Sequence, residues 1–138
     1  VLRVDDMIAT DEREAYYCRA AVDPAKIQPL DGSTTPANGQ FWIYVNQPGA
    51  GQPPNERFPI VQSYVDLFIT GCLQLSELAI TYEGDFAQAC VETTSDWSRH
   101  WVNDRIYPRR PFIYQPNAGR IDRLLQRLLP EFQLIRIE

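Results

Sequence analysis

The chain has a single histidine, His100, with Asp96 four residues before it and Asp104 four residues after. Side chains three and four apart meet on a helix surface, so a helix through this stretch would set Asp96, His100 and Asp104 in one row. A carboxylate beside an imidazole orients the ring and favours its protonated form. That is the arrangement of a general acid or base, and His100, Asp96 and Asp104 are the candidate catalytic residues. The competing reading is the solvated edge of an amphipathic helix, because no nucleophile motif accompanies the histidine. Cys90 would sit ten residues away on the same helix, about 15 Å along the axis, too far to touch it. Cys18, Cys72 and Cys90 are odd in number and show no CxxC pair. A disulfide framework or zinc site is therefore not expected, a reducing compartment fits, and each thiol reads as a small core residue. No metal site and no cofactor are expected, since the chain has no EF-hand loop, GxGxxG or P-loop motif.

A second constellation is basic. Residues 99–127 hold seven arginines against Asp104 and Asp122, whereas residues 1–98 hold 14 acids against 5 bases. Arg105, Arg109, Arg110 and Arg120 are interleaved here with Tyr107 and Tyr114, and Asn117 opens a helix whose amides face the same stretch. The proline-bracketed PRRP stiffens Arg109 and Arg110. These seven residues are the candidate ligand- or partner-binding set. Arginine with aromatic side chains suits phosphate or carboxylate groups, and equally marks protein–protein contact surfaces. Core packing of the aromatics with ordinary surface charge is the plainer explanation. The net charge of −5 argues against nucleic acid as the partner.

The elements that must position these residues follow from periodicity. From Pro59 to Ala79 apolar residues recur at helical spacing and widen well beyond one stripe, which predicts the central helix. Val61, Tyr64, Val65, Phe68, Cys72 and Leu75 are its expected buried face. Asp85 caps a second helix, expected to run to Asn103–Ile106 with Phe86, Cys90, Trp97 and Trp101 on one face. A third spans AGRIDRLLQRLL and stops before Pro130. Strands are expected at residues 1–4, 40–46, 112–114 and in the tail, and at 15–22, where the alanines are also compatible with a helix. The fold class is α+β: a small two-layer domain, about three helices packed on a sheet of four or five short strands.

At 138 residues and 44% hydrophobic composition, one globular domain is expected and wholesale disorder is excluded. No charge-free apolar run long enough for a membrane span and no signal peptide are visible, so a cytoplasmic location without membrane contact is expected. Two function classes stand. The first is a non-catalytic binding or accessory domain that associates with itself or another protein. The second is a small enzyme or ligand-binding protein for a phosphate- or carboxylate-bearing molecule, using the arginine-rich segment with His100 as acid/base.

Overall fold

The computed structural model describes residues 4–29, 32–78, 84–109, 115–132 and 136–137. The chain divides into two compact units, Val1–Gln52 and Pro53–Glu138.

In the first unit a helix, α1 (Val4–Arg13), precedes two strands, β1 (Tyr17–Val22) and β2 (Phe41–Asn46). The strands pair antiparallel from Tyr17 opposite Asn46 to Val22 opposite Phe41. Of the strand expected at residues 1–4, Val4 is instead the first residue of α1, and residues 1–3 lie outside the described ones. Asp11 ties the unit together: it accepts from the Tyr44 hydroxyl at 2.6 Å and pairs with Arg19 at 3.0 Å. No side chain described in this unit is buried, and Tyr16, Ile43 and Ile8 stand well exposed.

The second unit is built on a parallel sheet in the order β3 (Ile60–Val61), β4 (Trp101–Asn103), β5 (Arg136–Ile137). Parallel neighbours need a crossover between them. Helices α2 (Gln62–Glu77) and α3 (Phe86–Glu92) supply the first, and α4 (Ala118–Leu128) the second. The core joins Val65, Ile69, Cys72 and Leu73 of α2 to Ala87 and Val91 of α3, Trp101 of β4, and Ile121, Leu124 and Leu125 of α4.

Three expectations are corrected. Among the described residues there are four α-helices rather than about three, and the strands form two small sheets rather than a single sheet of four or five. The second helix stops at Glu92, not near residue 103. Its last carbonyls are taken by side chains: the hydroxyls of Thr93 and Thr94 donate to Ala89 O and Cys90 O, and the Trp97 indole N–H donates to Val91 O. Asp96 then adopts a positive φ of 62°, a left-handed conformation that turns the chain out of the helix. Finally, α2 buries a narrower face than predicted. Val65 and Cys72 are buried and Val61 is half-buried, but Tyr64, Phe68 and Leu75 are exposed, because Gln62, Ser63 and Asp66 point inward with the apolar residues. Residues 112–114, the other expected strand, lie outside the described ones.

Candidate functional site

The inward polar residues of α2 form the most ordered chemistry in the molecule. β3 runs directly into α2, and Val61 at the cap position offers no side-chain acceptor to the first-turn amides. Asp104, just beyond β4, supplies it from 41 residues away. One carboxylate oxygen accepts from the Ser63 N–H at 2.8 Å; the other accepts from the Ser63 hydroxyl and the Arg109 N–H, both at 2.7 Å. Asp104 is fully buried. Burial alone would push its carboxyl up, but the Arg109 amide and the two Ser63 donors outweigh it and hold the group below the usual carboxylate range.

One turn further along α2, the buried Asp66 receives three donors. Gln62 Nε2 reaches it at 2.8 Å, and Arg105 approaches side-on with Nε at 2.8 Å and Nη2 at 2.7 Å. The far side of the same guanidinium pairs with Asp122 of α4, both contacts at 2.8 Å. Arg105 thus clamps α2 to α4 through two bidentate pairs, and the hydrogen bonds it donates to Asp66 hold its guanidinium firmly protonated. Trp101, stacked on Trp97 at 5.5 Å, packs beside this cluster in the core. Its indole N–H finds no hydrogen-bond partner among the described residues.

The candidate catalytic row is not assembled by helical spacing, because residues 93–100 are loop. His100 is half-buried, and its ring makes no hydrogen bond or ion pair with Asp96 or Asp104 among the described residues; its backbone N–H donates to Ser98 Oγ. Asp96 accepts from Ser95 Oγ, and Asp104 is occupied by Ser63 and Arg109. Ser63 and Asp104 without a base form a structural bond rather than a nucleophile relay. Of the candidate binding residues, Arg105 is a clamp, while Arg109 and Tyr107 are exposed. Arg120 pairs with Glu77 at 2.7 Å. Asn117 precedes α4 without a side-chain cap bond. Arg110 and Tyr114 lie outside the described residues. Cys72 and Cys90 approach each other across α2 and α3; burial, with Cys90 beside it, pushes the Cys72 thiol up to about 12, which keeps it protonated and inert at neutral pH. Among the described residues no three His, Cys, Asp or Glu side chains are placed to share a metal ion, and no helix is long and apolar enough to cross a membrane.

Two surface features remain. On the outward side of α2, Tyr64, Leu67, Phe68, Leu75 and, just past its end, Leu78 are 39–69% exposed. Between α3 and α4, Arg120, Arg123 and Arg127 line a cleft of about 300 Å³ together with Leu73, Leu124 and Asp85. Compared with protein-family models, with curated proteins and with solved structures, the chain shows no match. Its function has to be argued from these residues.

Proposed function

We propose that the protein is a non-catalytic association domain that pairs with a second copy of itself through the outward face of α2. The observation that supports this reading most is the stripe at 64, 68, 71, 75 and 78, in alternating steps of four and three, on a helix whose opposite face already fills the core. Such spacing keeps a seam facing a partner helix. The ends of the stripe are equidistant from Gly71, with Tyr64 and Leu78 seven residues to either side, while Phe68 lies three before it and Leu75 four after. A twofold axis at Gly71 would set Tyr64 against Leu78 of the partner subunit and bring Phe68 within one position of the partner's Leu75. At Gly71 a Cβ would meet nothing within 4 Å in its own chain, so its absence leaves room for a second backbone. Charge favours the antiparallel sense. The charged residues of α2 are Asp66, which is buried, and Glu77 at the far end. Parallel pairing would bring the two Glu77 residues together, each with its own Arg120 beside it, and antiparallel pairing separates the two ion pairs.

Sedimentation equilibrium at micromolar concentration tests this. A dimer is expected, and Phe68→Glu should weaken it by about 100-fold, roughly 2.7 kcal/mol. Gly71→Ala is the sharper variant. It should stabilise the isolated helix by about 0.5–1 kcal/mol while weakening association. A monomeric wild type, or a dimer indifferent to both substitutions, would reject the reading.

The arginine cleft favours a second reading, a binding site for a phosphate- or carboxylate-bearing molecule. Arg123 has no acid partner among the described residues, and Leu73 and Leu124 give the cleft an apolar floor. His100, the acid/base this reading calls for, is not among the residues that line the cleft, so the reading is one of binding. Added pyrophosphate should raise the melting temperature of the wild type more than that of Arg123→Gln; equal shifts would exclude specific binding there.

A further inference from the structure

The first unit holds a cleft of about 510 Å³ that neither reading uses. Its size falls within the range of about 300–1,000 Å³ common to small-molecule sites. Met7 and Thr10 of α1 line one part, and the run from Pro36 to Tyr44 lines the rest. No charged side chain is among the lining residues; they are aromatic, apolar or neutral amide and hydroxyl groups. The lining groups themselves thus suit a neutral ligand better than a charged one, since the nearest charge, Arg19, is already paired with Asp11.

The aromatic walls are held in place by neighbouring charged residues, and Arg19 also reaches the sulfur of the lining Met7 at 4.0 Å. Arg19 lies over one face of the Trp42 ring, 4.8 Å from its centroid, and is itself fixed by Asp11 at 3.0 Å. The other oxygen of Asp11 fixes the Tyr44 hydroxyl. One carboxylate thus positions both rings, and rings that are already ordered lose little entropy when a ligand stacks on them. Trp42 is 37% exposed in spite of this support. Asn38 and Gln40 are exposed beside it and make no hydrogen bond among the described residues. A carboxamide donates and accepts at once, which matches adjacent hydroxyls that also do both. The electron-rich face of an aromatic ring suits the weakly positive C–H groups on one side of a sugar ring.

We propose that this cleft binds a neutral saccharide, with a pyranose ring stacked on Trp42 and its hydroxyls bonded by Asn38 and Gln40. A neutral planar heterocycle is the rival that the same rings would accept, and it lacks the vicinal hydroxyls that the two amides fit.

Saturation-transfer difference NMR on the full chain separates them, with glucose, N-acetylglucosamine, cellobiose and chitobiose as probes and adenine as the planar control. Transfer is expected to the C–H protons of one pyranose face and not to adenine. Trp42→Phe should retain binding at reduced affinity. Asn38→Ala/Gln40→Ala, in the loop before β2, should weaken it by about tenfold without disturbing the hairpin, as judged by the amide spectrum. Trp42→Ala should abolish it. Absence of transfer to all four sugars, transfer to adenine alone, or sugar binding that survives both Trp42→Ala and the double loop variant would overturn the proposal.

Discussion

Arg105→Ala is expected to destabilise the 53–138 unit by about 3–5 kcal/mol, because it leaves the buried Asp66 carboxylate without its cation. The Asp66 side chain is fully buried, and Arg105 retains only 19% exposure. Asp66 would keep a single donor, Gln62 Nε2. Asp122→Ala is the contrast. Its side chain is 53% exposed, water replaces much of what it loses, and a cost of about 1 kcal/mol or less is expected. Urea unfolding of the two variants checks the difference. The comparison decides between a strut and a ligand arginine. If Arg105→Ala were as stable as the wild type, the clamp would contribute nothing and the arginine would be available for binding. Arg105→Lys should recover only part of the loss, since an ammonium cannot make two bidentate pairs at once.

The parts of this fold that are legible from sequence are those where one periodicity acts alone. In α4, Ile121, Leu124, Leu125 and Leu128 repeat on one side and arginines on the other, and Pro130 stops the pattern; the helix found is Ala118–Leu128. β2 is legible as an aromatic and β-branched run between turn residues, whereas the alanines of β1 leave helix and strand both open until it pairs with β2. α2 is legible as a helix but not in its orientation. It has apolar residues on nearly every side, so periodicity could not say which stripe faces the core. The answer lies in the polar residues: Gln62, Ser63 and Asp66 look like a solvated face, yet all are buried, because Ser63 bonds Asp104, Asp66 bonds Arg105, and Gln62 donates to Asp66 within the helix. Pairings 39 and 41 residues apart leave no trace in local spacing. The only local hint is that α2 opens on Val61, which cannot cap, so its first amides needed an acceptor from elsewhere.

The row around His100 misleads for a related reason. Trp97 and Trp101 are four apart, as on a helix face, and they do stack, with ring planes 10° apart. They stack because the chain turns at Asp96 and runs on into a strand, which brings them together without a helix between. Aromatic spacing alone does not distinguish the two. Thr93 and Thr94 carry the missing signal: two hydroxyls in succession compete for helical carbonyls and favour an ending.

The same polar network makes the unit acid-sensitive at one position. Asp104→Asn should cost about 2–4 kcal/mol, since an amide cannot replace a carboxylate that accepts on both oxygens. With the amide oxygen toward the Ser63 N–H, its NH2 group faces the Arg109 N–H, donor against donor; reversing the amide only moves the conflict to Ser63. The wild type should show a matching pH dependence. The folded carboxyl is held below its unfolded value of about 3.9, so its stabilising contribution is fully present above that pH. It is lost as pH falls through the folded value, where protonation removes an acceptor from the three donors. Urea midpoints measured from neutral pH downward should therefore fall more steeply for the wild type than for Asp104→Asn once pH drops below about 4. Parallel acid limbs would show that other carboxylates, and not this buried acceptor, set the acid response. A variant as stable as the wild type at neutral pH would show that α2 does not depend on Asp104 for its first turn. Ser63→Ala, which removes the hydroxyl but keeps the backbone donor, should cost less than Asp104→Asn, because Asp104 still accepts from the Ser63 and Arg109 amides.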